Sequence, residues 1–240
     1  SEQFNAAPTD AFCQAALSYV YRYDGINKDG DQAFHFAELS ANQSNTWGYE
    51  ALVGLYFDGI GVEQDYDQAF FLASLSAANP ENYVAQYYLG LMYKDGLGVA
   101  QNSETAFEWM SKSGLQGYWQ AENWVAYMYR EGVGTAQDDS ESISWSYKSA
   151  LKGNVYSQFW VGYHYYYGLG ISQSYTDAFE WFHKSALQQF HWSQYFVALA
   201  YYSGEGAAQD YDLALEWATL AADQGNSSAI DLVALINLEL

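Results

Sequence analysis

Basic side chains and cysteine are what this chain has least of. Its 240 residues carry 8 Lys plus Arg against 29 Asp plus Glu, giving a formal net charge of −21, and a single cysteine. The acidic count is ordinary, so the charge comes from missing lysines and arginines. Nucleic acid is disfavoured as a partner, because affinity for it comes mainly from neutralising phosphates with basic groups. Anionic membrane surfaces are disfavoured for the same reason, and a neutral or basic partner is not. Cys13 alone excludes an intramolecular disulfide, and its position in the first apolar stretch reads as a buried small hydrophobe. No uninterrupted apolar run of about 18 residues is present to insert in a membrane. No signal peptide is visible, no Pro- or Ser-rich linker divides the chain, and the sequence begins "SEQFNAAPTD", without Met.

Signals of catalysis are equally scarce. The histidines at 35, 164, 183 and 191 have no partner at metal-ligand spacing, so they read as structural or surface imidazoles. Neither a metal nor a cofactor is expected. "SALK" at 149–152 matches the Ser-x-x-Lys of penicillin-recognising enzymes, without either companion motif. It aligns with "SGLQ", "SALQ" and "AADQ" elsewhere in the chain, which makes its Ser part of a pattern and its Lys a chance occurrence. Asp138 and Asp139 belong to the first turn of a helix, where the dipole favours negative charge. No catalytic residue is expected, and a hydrolase such as a penicillin-recognising enzyme is the distant alternative.

What the chain does have is a period. "YFDGIGVEQD" from Tyr56 returns as "YKDGLGVAQN" from Tyr93, "YREGVGTAQD" from Tyr129, "YYYGLGISQS" from Tyr165 and "YYSGEGAAQD" from Tyr201, spaced by 37 and then by 36 residues three times. A fixed period of this size marks stacked supersecondary units. Before each corner lies a helical stretch. In the second copy it runs over 82–94, with Ala85, Leu89, Gly90 and Tyr93 on one face, and Gly90 reads as a point where a neighbouring helix backbone comes close. After each corner comes an N-cap residue, Asp65, Asn102, Asp138, Ser174 or Asp210, and Gln68 and Glu141 stand where they would complete capping boxes. The Gly-x-Gly therefore turns a corner between two helices. A phosphate loop would follow a strand and leave its helix N-terminus open for the ligand.

The pattern Leu-Gly-x-x-Tyr-x-x-Gly-x-Gly-Val-x-Gln-Asp-Tyr-x-x-Ala-x-x-Trp, readable from Leu89 to Trp109 and most fully across the copies, resembles the Sel1-like repeat, a relative of the tetratricopeptide repeat. The family's structural positions fall on the five Tyr residues above, the glycines after them, Ala69, Ala106, Ala178 and Ala214, and Trp109, Trp145, Trp181 and Trp217. Ser142 stands in place of the Ala, Leu72 in place of the first Trp, and Gln189 in place of the closing Gly found at 117, 153 and 225. The resemblance implies an all-α fold, a right-handed α/α superhelical solenoid of about thirteen helices. Residues 1–46 would form an atypical N-terminal cap repeat with a shortened corner, 47–225 five full repeats, and 226–240 a C-terminal capping helix, all in one solenoid.

The resemblance implies tetratricopeptide geometry, which puts the first helix of each pair on a concave surface, with exposed positions nine, six and two residues before the repeat Tyr and one and two after it. Trp47, Glu50 and Gly54 fall in this register, as do Tyr87, Tyr127, Tyr156, Phe159, Tyr163, Tyr166, Tyr167, Trp192, Tyr195 and Tyr202, with Asp95 and Glu131 as an acidic rim. Aromatic patches of this kind mark interaction sites. The resemblance thus implies a non-enzymatic protein-binding scaffold for a neutral or basic protein or peptide, of the adaptor, surface or immunity type found in bacteria. The alternative is a carbohydrate- or cell-wall-binding module, since Trp and Tyr faces also stack on sugars. Little Lys, no disulfide, a start without Met and the family's members together lead us to expect an extracytoplasmic location, periplasmic or secreted.

Overall fold

A computed structural model describes residues 9–23 and 29–239. Among them lie thirteen α-helices and no strand: α1 (Ala11–Tyr23), α2 (Gly30–Ala41), α3 (Thr46–Asp58), α4 (Tyr66–Ser76), α5 (Tyr83–Asp95), α6 (Ser103–Leu115), α7 (Trp119–Glu131), α8 (Asp139–Leu151), α9 (Val155–Tyr167), α10 (Tyr175–Ala186), α11 (His191–Ser203), α12 (Tyr211–Asp223) and α13 (Ser227–Ile236). The chain divides into two compact units at Tyr118 and Trp119. In the first, α1 to α6 pack each on the next, and α3 also touches α1 and α5; in the second, α7 to α13 follow the same neighbour-on-neighbour order. The shortened corner expected between α1 and α2 falls at 24–28, outside the described residues.

The corners after α3, α5, α9 and α11 are built the same way. The first Gly takes a left-handed φ, 72° at Gly96, and its N–H returns to the Met92 carbonyl, so the helix stops without a Cβ penalty. The repeated Gln then caps the same helix end from outside: Gln64, Gln101, Gln173 and Gln209 each donate to the carbonyl seven residues earlier, at 2.7 to 2.9 Å. The second Gly docks the corner onto the preceding pair. A Cβ on Gly98 (φ 67°) would stand 2.7 Å from the Tyr66 carbonyl carbon, so only glycine lets the two backbones meet. The N-caps form as expected, Asp65 accepting from Gln68 N–H at 2.9 Å, but the capping boxes are not closed in the expected way. The N-cap N–H groups of Asp65 and Asp138 donate to the Tyr56 and Tyr129 carbonyls, tying the second helix to the end of the first and leaving no need for Gln68 or Glu141 to reach back.

Three other expectations are corrected. Cys13 is exposed, because α1 buries the face of Gln14, Ala15, Ser18 and Arg22 and turns Phe12 and Val20 outward. Gly90 and Gly162 do admit a close neighbour, but it is a side chain: a Cβ there would lie 2.7 Å from Met110 Cγ or Phe182 Cδ1. Lys152 is not a chance occurrence. Gln43, Gln116, Gln188 and Gln224 donate to Gln14, Gln86, Gln158 and Gln194 at 2.7 to 2.8 Å, and in the equivalent place Lys152 donates to the buried Glu122 at 2.6 Å. One amide pair has been exchanged for an ion pair. Ser149 of the same "SALK" donates to the Trp119 carbonyl at 3.2 Å, as Ser40, Ser113 and Ser185 donate to the Ala11, Tyr83 and Val155 carbonyls in their own pairs.

The second unit holds one more exchange. His164 is fully buried where the other pairs place Leu55, Met92 and Met128. Its Nδ1 lies 2.8 Å from the Leu169 carbonyl and its Nε2 lies 3.3 Å from Ser142 Oγ. Burial lowers its pKa, and Nδ1 is the donor in the first contact because a carbonyl oxygen can only accept. Ser142, in the place of Ala, donates its hydroxyl to the Ala126 carbonyl at 2.9 Å and sets its oxygen beside the ring.

Candidate binding surface

In the second unit α9 and α11 present aromatic residues in the same register, and the turn between α10 and α11 adds Phe190. Together Tyr156, Phe159, Trp160, Tyr163, Tyr167, Phe190, Trp192, Tyr195 and Phe196 line a cavity of about 570 Å3. Its floor is core: Phe159 is 8% exposed and packs on Phe182 and Phe196, so this residue supports the site and is not an open anchor. Its rim is open, with Tyr156 54%, Tyr167 51% and Trp192 40% exposed. The rings hold one another. Tyr163 meets Tyr167 at 4.5 Å and Phe190 meets both Tyr156 and Phe159 edge-on at 5.3 Å. No charged side chain lines the cavity.

Six of the residues expected on the binding face are thus brought together: Tyr156, Phe159, Tyr163, Tyr167, Trp192 and Tyr195. Tyr166 lies beside them, edge-on to Phe196 at 5.3 Å. Burial and the neighbouring Glu205 carboxylate push its hydroxyl up to about 12. The others are elsewhere. Tyr202 packs on Tyr211. Tyr127 packs edge-on to Trp124, and Glu131 accepts from Arg130 Nε at 2.8 Å while that guanidinium lies 3.4 Å over the Trp160 ring. Tyr87 and Asp95 belong to the first unit, where Tyr87 meets Tyr118 and Asp95 pairs with Lys94 at 2.5 Å.

Trp160, Phe190 and Phe196 line the cavity without having been singled out in the sequence, and Glu205 supplies an acidic neighbour that was also missed. For Phe190 a signal existed. Asn45, Asn82, Asn154 and Asn226 cap the first helices of their pairs, whereas α11 begins at Phe190 with no side-chain cap. A lost cap costs about 1 kcal/mol, and a local rule broken in this way points to function.

The first unit has a smaller cavity of about 250 Å3, lined by Tyr19, Arg22, Tyr23, Trp47, Glu50, Tyr83, Val84, Tyr88 and Tyr118. Glu50 and Gly54, expected on the exposed face, are buried. Tyr19 donates to the Glu50 carboxylate, and Arg22 donates to the Gly54 carbonyl at 3.0 Å and pairs with Asp58. Gly54 leaves the space that the Arg22 guanidinium fills. Burial pushes the Glu50 carboxyl above its ordinary range and the Tyr88 hydroxyl up to about 12.

Among the described residues no group of three or more His, Cys, Asp or Glu is placed to hold a metal, and no helix is long and apolar enough to cross a membrane. Basic groups are spoken for. Lys28 lies outside the described residues; of the rest, Arg22, Lys94, Arg130 and Lys152 form ion pairs, and Lys112, Lys148 and Lys184 lie 3.6 to 4.1 Å over Trp109, Trp145 and Trp181.

The family model for the Sel1 repeat matches residues 11–45, 50–80, 84–118, 119–154, 155–190 and 193–226. Among solved structures, the chain is similar to a protective antigen present in uropathogenic Escherichia coli strains, at 32% identity and a TM-score of 0.85, over 95% of this chain and 49% of that one. It therefore spans about half the length of that relative. It is also similar to a Sel1 repeat protein from Oxalobacter formigenes, at 27% identity and a TM-score of 0.79, over 93% of this chain and 88% of the other. An immunity protein from Pseudomonas aeruginosa shares the fold, at 15% identity and a TM-score of 0.55, over 95% and 87% of the two chains. No curated protein sequence matches. The fold class is the all-α helical-repeat solenoid expected from the sequence.

Proposed function

Because the chain belongs to the Sel1 repeat family, whose repeats serve as scaffolds, we propose that it is a non-enzymatic protein-binding module that grips a neutral or basic partner segment. The observation that carries this reading is the cavity between Tyr156, Tyr167 and Trp192. Large, rigid rings stand open to water there, over a floor that the core already holds in place. Tyr and Trp in such settings are the usual anchors of interfaces. The charge of −21 favours basic partners and speeds their approach. We also propose an extracytoplasmic location, in keeping with the likeness to a protective antigen.

The test is selection of peptides from a random displayed library, run beside a glycan array. Selected peptides should lose about 2 kcal/mol of affinity on Trp192→Ala or Tyr156→Ala, and these changes at exposed rings should leave the melting temperature nearly unchanged. Tyr165→Ala, which removes a ring packed against two core clusters, should instead behave as a core deletion. Glycan binding without peptide binding would overturn the reading in favour of a carbohydrate module.

A further inference from the structure

Resting on the protein-binding reading above, we infer that the occupant of the aromatic cavity is a proline-rich segment in the polyproline II conformation, with Lys or Arg beside its prolines. Recognition of extended or helical segments follows a few physical modes, and the side chains present sort them. Pairing as an added β-strand needs a free sheet edge, and the described residues contain no strand. Phosphorylated or acidic segments need unengaged Arg or Lys, and the seven described basic side chains are held in ion pairs or over Trp rings. An amphipathic helix satisfies its own carbonyls along its length, so only its side chains and last turn bring acceptors to the polar tips of a wall made of Tyr and Trp.

A polyproline II segment is the complement of such a wall. It has no internal hydrogen bonds, so every carbonyl it carries to the surface needs a donor. The hydroxyls of Tyr156, Tyr167 and Tyr195 and the indole N–H of Trp192 are donors fixed at the ends of ring faces, and those faces pack against pyrrolidine rings. The segment is already stiff before binding, which reduces the ordering cost. Charge selects its flanks. The cavity itself holds no charged side chain; beside it Arg130, over the Trp160 ring, is paired with Glu131, Glu205 lies close enough to raise the Tyr166 hydroxyl, and the whole chain is strongly acidic. A Lys or Arg beside the prolines meets a negative field without being buried.

Fluorescence anisotropy of a labelled decaproline bracketed by arginines, titrated with the full chain, tests this. The same peptide with Ala in place of Pro, and a version with Glu in place of Arg, serve as comparisons. The proline peptide should bind saturably and at least about tenfold tighter than either, and Trp192→Ala, with an unchanged melting curve, should weaken it by about tenfold or more. Equal affinity for the alanine peptide, or indifference to Trp192→Ala, overturns the inference. Library peptides that bind through Trp192 but lack proline also overturn it, while leaving the protein-binding reading intact. A glycan signal with no peptide signal removes both.

Discussion

The corner glycines offer the most direct measurement of how one helical pair is held to the next. Gly96 and Gly98 share one loop, with φ of 72° and 67°, so an Ala at either position pays the same left-handed strain, about 1 kcal/mol. Their surroundings differ. At Gly96 a new Cβ would stand 3.3 Å from Gln101 Cβ and 3.5 Å from Gln101 N, contacts that a shift of a few tenths of an ångström in the loop relieves. At Gly98 it would overlap the Tyr66 carbonyl and stand 3.1 Å from the Asp67 N. That is backbone at the start of α4, already fixed by the Asp65 cap. The two pairs must separate, and an overpacked contact of this kind adds about 1 to 3 kcal/mol. Gly96→Ala should therefore cost about 1 kcal/mol and Gly98→Ala about 2 to 4 kcal/mol. Urea unfolding followed by far-UV circular dichroism reads both, because the mutations lie in one loop of one unit and share a reference state. Equal costs would refute the argument, since they would mean that the second glycine is kept for its φ alone and not for the approach of the preceding helix.

Gln189 holds φ 65° where the equivalent Gly117, Gly153 and Gly225 have 84° to 91°; Gln189→Gly relieves that strain, less the flexibility it gives the unfolded chain, and should stabilise by about 0.5 kcal/mol in a thermal melt. Lys152→Ala leaves the Glu122 carboxylate buried with its partner gone and should destabilise by about 2 kcal/mol or more, whereas Glu122→Gln with Lys152→Gln restores the amide pair used by the other repeats and should recover most of the loss in urea melts. Burial raises the Glu50 pKa above its ordinary 4.5. A carboxyl with a raised folded pKa stabilises below its unfolded pKa, and that stability is lost as pH rises through the folded one. Unfolding of the first unit should therefore become easier across that rise, and Glu50→Gln, which still accepts from Tyr19, should flatten the profile.

The sequence by itself determined the helices, their corners and their order, because those depend on local chemistry repeated at a fixed offset. A left-handed glycine, an N-cap Asp and a face of Ala, Leu and Gly mean the same thing in every copy. It also identified which first-helix positions are free to carry Tyr and Trp, since they vary while the packing positions stay fixed. Tertiary structure decided what those positions become. Glu50 and Phe159 share a register with each other, yet Glu50 is buried under the Tyr19 hydroxyl and Phe159 is a cavity floor, because the outcome depends on which side chains the adjoining helices bring against them. Phe190 and Phe196 enter the cavity from the turn before α11 and from α11 itself, at positions that the register of free first-helix residues does not include. The exchanges of Gln pairs for Glu122 with Lys152, and of a core Met for His164 with Ser142, were likewise beyond reach of a single repeat. Each is a contact between helices about 30 or 22 residues apart, and burial of one partner is what gives the other its meaning.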